Sequence, residues 1–330
     1  MLSRQFHGLR GNQTVIDDRT WYTCSNREWG CNWLVREDAP AGRCFSCRLT
    51  RTRPAANDTV ALEKLGRVEE AKRRLILQLG SLGLPIVGWD LEPGGLGFDL
   101  ISSMTDGKPV MIGHANGIIT IDLAESLDDR REAMRVRLGE PYRTILGHLR
   151  HEVGHYYQNV LLTDDESWAR CRALFGDERA SYQDAIARHY RFGAPEGWHE
   201  SFISEYATMH PWEDFAETFA HYLHITGTLA TAAAIGIRLD AAVTSMRDID
   251  VIPRESYADE PIQRLLNDWD WMSQAFNRIN RSMGFGDLYP FDLVGPVRKK
   301  LSFMHDIITN APLTLEEQAA MAAPWDAEPT

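Results

Sequence analysis

The chain has 330 residues, 44% hydrophobic and 25% charged, with a formal net charge of −12; that is enough for one large domain or a small one plus a medium one. Residues 1–60 carry nine Arg and six Asp or Glu, which leaves −15 on the remainder, and so acidic a body argues against general nucleic-acid or anionic-membrane binding, with room for a local acidic partner only at the N-terminal part. No run of eighteen apolar residues exists and Met1 to Asp18 lacks an apolar core of signal-peptide length, so the expectation is a cytoplasmic protein without a transmembrane helix.

Residues 1–18 are polar and read as an irregular arm. Residues 19–53 hold four of the five cysteines. Cys24 and Cys31 form one pair, Cys44-Phe45-Ser46-Cys47 is a C-x-x-C pair, and Asn32-Trp33-Leu34-Val35 lies between them as a short strand before a turn at Pro40-Ala41-Gly42. Two cysteine pairs around a hairpin-sized segment predict a four-cysteine zinc ribbon, in which the metal replaces a core too small to form. In a reducing compartment such clustering points to metal rather than disulfides. Cys171 stands alone and reads as a buried or neutral thiol. Residues 54–85 form a linker and a connecting helix: Leu62, Leu65, Val68, Ala71, Leu75, Leu79 and Leu82 recur at three- and four-residue steps, with basic residues opposite, and Pro85 ends the run.

From residue 86 the period changes. Gly97 to Ile101, Val110 to Ile112 and Ile118 to Ile121 read as strands, the last two separated by His114-Ala115-Asn116-Gly117, and Asn-Gly favours a tight turn. His114 is a surface histidine or faces a cleft. Next comes a helix with Pro141 suited to its first turn. It carries Ile145, Leu149, Val153, Tyr156 and Val160 as a buried stripe, and His148, His151, Glu152 and His155 on another face. His151-Glu152-Val153-Gly154-His155 is H-E-x-x-H. Histidines four apart on a helix can share one metal ion, and the carboxylate beside the first can take the proton of a water there. His148 either supports this group or is a plain core or solvated histidine. Beyond it, segments 165–175, 178–191, 211–225, 228–247, 260–282 and 295–309 have helical spacing, and residues 313–330 read as a tail.

Two histidines need a third ligand. The metzincin extension is absent, since Gln158 and Leu161 stand where Gly and His would be. A glutamate on a later helix is the alternative. Within His210 to His221, Trp212, Phe215, Ala216 and Phe219 make an apolar stripe, and Glu213, Glu217 and His221 run at i, i+4 and i+8. Glu213 is the preferred ligand, with Asp214 and Glu217 as alternatives. Glu217, one turn on, can orient a ligand histidine by accepting its other ring N–H. Tyr206, seven residues before Glu213, either donates to an oxyanion or is a half-buried aromatic. The 165–205 insert is either packed helices or a cover for the cleft.

The blocks Gly147 to Tyr157, Glu205-Tyr206-Ala207 and His210 to Glu217, with Cys31 to Val35, Cys44 to Leu49 and Tyr289-Pro290-Phe291, resemble a bacterial family of zinc-binding metallopeptidases with an N-terminal zinc ribbon. The resemblance runs from about Trp21 to about Ile307, and the tyrosine-to-glutamate spacing is similar to that of the gluzincin anthrax lethal factor. It implies His151, His155 and Glu213 as ligands of a catalytic zinc, Glu152 as general base, Tyr206 as oxyanion partner, Glu217 as support for a ligand histidine, and Cys24, Cys31, Cys44 and Cys47 around a structural zinc. Many members carry a further cysteine-rich ribbon that this chain begins without.

The expected fold class is α+β: a small four-cysteine zinc ribbon, then a mainly helical zincin-like domain over 86–312 with a small sheet. In zincins such a sheet lies over the active-site helix, and its edge strand can align an extended peptide. The expected function is zinc-dependent hydrolysis of a protein or peptide substrate, with one catalytic and one structural zinc and no membrane or nucleic-acid partner. The rivals are an inactive zincin-like platform that docks through its ribbon, and a zinc hydrolase of a non-protein amide.

Overall fold

The computed structural model describes residues 9, 11–16, 18–103, 113–123, 144–244 and 249–311. Much of the N-terminal arm, the Val110 to Ile112 strand, Pro141 and the 313–330 tail lie outside the described residues. Within the arm expected to be irregular, Gln13–Ile16 forms a strand because it pairs with Arg19–Thr23, and the helix expected to open at Pro141 starts at Ile145, since Thr144 is extended and caps it. The chain divides into two compact units, Met1–Asp129 with Pro312–Thr330, and Arg130–Ala311. The sheet segment thus groups with the cysteine module.

In the first unit β1 (Gln13–Ile16), β2 (Arg19–Thr23) and β3 (Leu34–Val35) form an antiparallel sheet in that order. The hairpin between β1 and β2 turns through Asp18 at φ 59°, a conformation that a short polar side chain tolerates. Cys24 follows β2 directly. A 3-10 turn, Arg27–Trp29, closed by Gly30 at φ 80°, takes up the long spacing to Cys31. Cys44 caps and Cys47 lies inside the short helix α1 (Phe45–Arg48). The four cysteines are buried and form the module's core together with Val35, with Tyr22, Trp33 and Ala39 packed around them. All four are free thiols. So few apolar side chains cannot hold a fold, and the sulfurs take the place of a core.

The chain leaves α1 into β4 (Thr50–Thr52), which pairs in parallel with β5 (Gly97–Ile101). With β6 (Gly113–Ala115) and β7 (Ile118–Asp122) the sheet order is β4-β5-β7-β6, and only β6 is antiparallel to its neighbour. Asn116 and Gly117, at φ 49° and 82°, make the tight β6–β7 turn that their sequence predicts. A Cβ on Gly117 would lie 2.2 Å from the Gly94 carbonyl oxygen, so only glycine fits. His114 serves this turn: its Nε2 accepts the Gly117 N–H at 3.1 Å.

Helix α2 (Thr59–Ser81) starts at Asp58, whose carboxylate accepts the Ala61 N–H at 2.9 Å, the arrangement that satisfies a free first-turn donor. Leu65, Val68, Leu75 and Leu79 bury the predicted stripe. The basic residues expected opposite are not all solvated. Lys72 is wholly buried, 2.8 Å from Glu69 and bonded to Thr50, and Arg73 donates to the Gly30 carbonyl at 3.0 Å. These bonds tie the helix to β4 and to the cysteine module, which is the reason for their burial.

The second unit is helical: α3 (Ile145–Leu161), α4 (Asp165–Phe175), α5 (Tyr182–Phe192), α6 (Pro211–Ala234), the short α7 (Ala241–Thr244), α8 (Ile262–Ser282) and α9 (Gly295–Thr309). Thr144 caps α3 by accepting the Gly147 N–H at 3.0 Å, and Asp164 and Ser167 form a reciprocal cap on α4. The two segments expected at 211–225 and 228–247 are joined in α6, which runs through Gly227 and stops at Ala234. Tyr222, Leu223, Ile225 and Leu229 are buried on both sides of the glycine, and their packing outweighs the cost of about 1 kcal/mol for glycine in a helix.

Helices α3 and α6 cross at Gly154, where an added Cβ would stand 2.9 Å from Ala216 Cα and 3.1 Å from its carbonyl oxygen. The glycine of the H-E-x-x-H motif is therefore what lets the two backbones touch. Gly154→Val is expected to cost about 1–3 kcal/mol by overpacking, read from the urea midpoint; a loss below about 0.5 kcal/mol would show that the crossing opens without strain.

Candidate metal centre

Residues 151–158 of α3 are buried all round, because α6 covers one side and aromatic side chains the rest. Tyr157 stacks on Phe219 at 5.4 Å, and His155 stacks on Trp212 at 5.1 Å with the rings 11° apart. His151 and His155 meet edge to face at 4.8 Å. Both turn Nε2 toward one oxygen: Glu213 Oε2 lies 2.9 Å from His151 Nε2 and 3.4 Å from His155 Nε2. The three donor atoms lie within 4.8 Å of one another. Asp214, the alternative ligand, points elsewhere and meets Lys300 Nζ at 2.6 Å. Burial pushes the Asp214 carboxyl up to about 7, against the pull of Lys300.

Glu217 lies one turn along α6. Its Oε1 accepts the His151 Nδ1–H at 2.7 Å, and its Oε2 accepts the Ser204 hydroxyl at 2.7 Å. The first bond fixes the tautomer that leaves Nε2 for a metal. Burial lowers the His151 pKa, but the bonds to Glu213 and Glu217 outweigh it and hold the ring well above its ordinary value. Burial likewise raises Glu213, yet His155 and His151 hold it well below the carboxylate range. The carboxylates of Glu213 and Glu217 thus favour a positive charge at this point, which a bound cation would supply.

Tyr206 begins a 3-10 turn, Tyr206–Thr208, with its ring 5.6 Å from that of His151. Ser204 accepts the Ala207 N–H at 3.1 Å while donating to Glu217, so one hydroxyl ties the Tyr206 turn to the histidine support. Glu152 is buried. Its Oε1 lies 3.7 Å from His148 Nδ1, and its Oε2 has no hydrogen-bond partner among the described residues. His221 joins neither histidine. It bonds to the Tyr289 hydroxyl at 2.7 Å and sits 4.5 Å from the Phe291 ring, so the Tyr289-Pro290-Phe291 block closes over it, and burial takes its pKa down to about 4.

The sequence reading missed Tyr182 and Ser204. Tyr182, in the first turn of α5, donates its hydroxyl to Glu213 Oε1 at 2.6 Å. No periodicity relates it to Glu213; the Ser181 cap marks only the start of its helix. Within the insert, α4 is packed, with Phe175 against Phe215 and Phe303. Helix α5 has His189 as its buried side chain and is otherwise largely exposed.

Both clusters fit zinc. Two imidazole nitrogens and one carboxylate oxygen make the three-ligand set of an open site, and ligands on a tetrahedral zinc stand ~3.3 Å apart at ~2.0–2.1 Å bonds, in keeping with the spacings above. In the first unit Cys31 and Cys44 sulfurs lie 3.6 Å apart and the Cys44 N–H donates to Cys24 sulfur at 3.3 Å. Bonds among the thiols hold Cys24 far below its ordinary pKa and Cys44 far above. Sulfurs this close share protons instead of carrying four charges, and a divalent cation removes that conflict. Cys171 is apart from this cluster, its thiol pushed up to about 12 by burial.

Residues 4–58 match a zinc-ribbon domain. A protein of Mycobacterium bovis and two of Mycobacterium tuberculosis strains, each named only as uncharacterized, are similar to the chain, with 46% identity over 297 residues that cover 89% of this chain and 84% of theirs. No solved structure matches. Residues 61–307 match the family described as "Putative zinc-binding metallo-peptidase", and the chain, with its cysteine cluster and its His-His-Glu group, belongs to that family.

Proposed function

We propose that the chain is a zinc-dependent metallopeptidase that hydrolyses peptide bonds with Glu152 as general base. The observation that carries this reading is the convergence of His151, His155 and Glu213 on one point, with Glu152 next to the first of them in sequence. When bound, zinc brings the pKa of water down to about 7 and polarises a carbonyl. Glu152 takes the proton of the attacking water and passes it to the leaving nitrogen. Tyr206 donates a hydrogen bond to the oxyanion that develops on the carbonyl. Glu217 and Ser204 keep His151 and the Tyr206 turn in register with each other. The cysteine cluster holds a second zinc with a structural role. Among the described residues no helix is long and apolar enough to cross a membrane.

Elemental analysis of wild type and His151→Ala tests the split between the two sites. The expected result is two zincs per chain falling to one, with cleavage of a peptide library by the wild type alone. One zinc in both proteins would leave the cysteine site as the sole metal centre and end the peptidase reading.

A further inference from the structure

Tyr182 is the group at the metal centre to which the reading above gives no part. Its hydroxyl takes one oxygen of Glu213, Oε1, at 2.6 Å, while the other, Oε2, faces both histidines at 2.9 and 3.4 Å. The two oxygens therefore have separate employment. The phenol is also held in place. Ser181 accepts the Asp184 N–H at 3.3 Å and so starts α5 at Tyr182. His210 accepts the Trp212 N–H on Nδ1 at 3.1 Å and donates from Nε2 to the Ala180 carbonyl at 3.1 Å. Its ring stands edge-on to Tyr182 at 5.2 Å. Trp212 in turn stacks on His155. One cap residue thus links the start of α5, the start of α6 and a ligand histidine.

We propose that Tyr182 is a positioning residue that fixes Glu213 as a one-oxygen metal ligand and so keeps a coordination position open for substrate. The inference rests on the metal-centre reading. A carboxylate binds metal through one oxygen or two, and three-ligand zinc sites work because a fourth position stays free. A hydrogen bond that occupies Oε1 and ties it to a second helix removes the two-oxygen alternative. Without it, Glu213 rotates to offer both oxygens, and the second would stand as a fifth donor beside the water, crowding the position that the reaction needs. Tyr182 is 38% exposed, so its replacement leaves the core intact.

The test uses the full chain loaded with cobalt(II), whose visible absorption is strong in four-coordinate sites and weaker in five-coordinate ones. The spectrum of His151→Ala, subtracted from each protein, isolates the His-His-Glu site from the cysteine site. Tyr182→Phe is expected to keep metal stoichiometry, to lose intensity severalfold in the difference spectrum, and to lower kcat of the zinc protein about 10- to 100-fold, the range for groups that support a ligand. Tyr182→Ala should give the same spectrum, since the hydroxyl alone acts, and it covers the case in which one variant folds poorly. A wild-type difference spectrum in either variant overturns the assignment of Tyr182. A wild type that itself shows no difference from His151→Ala overturns the metal-centre reading, and this inference with it.

Discussion

Glu152→Gln keeps wild-type zinc and loses turnover by about two to four orders of magnitude, the usual worth of a positioned general base. Glu152 stands outside the group of three converging atoms, so its charge is not needed to hold the metal. The amide has the same shape and fits the same buried space, yet it accepts no proton. Oε2, without a hydrogen-bond partner among the described residues, is the atom that the proposed reaction would use, and Gln would put an oxygen or an NH2 group there. Zinc by elemental analysis and turnover on a cleaved peptide are measured on the same preparation. Retained turnover removes Glu152 from the mechanism. Loss of zinc along with turnover makes it a ligand and redraws the site.

Lys300→Met is the largest stability change expected, about 3–5 kcal/mol, because it leaves a buried acid without its cation. Lys300 Nζ lies 2.6 Å from Asp214 Oδ2 and donates to the Ser201 carbonyl at 2.9 Å. It also sits over the Phe202 ring at 4.3 Å and the Phe175 ring at 5.6 Å. The side chains are only 6% and 1% exposed, so water cannot take over. Methionine keeps the stem's packing and removes the charge alone. Asp214→Asn in the same chain should recover part of the loss, since a neutral amide needs less from its surroundings. Urea unfolding in excess zinc reads both proteins. A single-variant loss below about 1 kcal/mol would place the pair with surface ion pairs, which are worth little.

What could be read from the chain, and what could not, follows from the range of each interaction. His151 and His155 are one helical turn apart, and Glu213 and Glu217 are another, so local geometry presents each pair on one face before any tertiary fold is known. Pairing the two helices needed the aromatic stripe around Glu213, which marks a buried face. The cysteines announce themselves by type and clustering. The hydroxyl of Tyr182 reaches Glu213 across 31 positions, through a loop and a helix with no common period, and nothing local specifies that contact. Gly227 misled for the opposite reason: its weak helix propensity is a local signal, overruled by the packing of Ile225 and Leu229. Lys72 and Arg73 fall among the basic residues expected opposite the apolar stripe, and their burial is not legible locally, because partners such as Thr50 and the Gly30 carbonyl lie in other parts of the chain.

The path from Cys47 through α1 into β4 has a consequence for the order of events during synthesis. The cysteine module is complete, and able to close on its ion, as soon as Cys47 has left the ribosome, whereas β5, the strand that β4 needs beside it, is still to be made. Domains form in the order in which they emerge. A structural zinc there, as proposed above, would act as an anchor that holds one bare strand ready until its neighbour arrives. In zinc-starved cells that early anchor is missing, and the cost falls on the sheet: newly made chains should present β4 without a fixed start point, and the nascent protein, more than the finished one, should be the form that proteases remove.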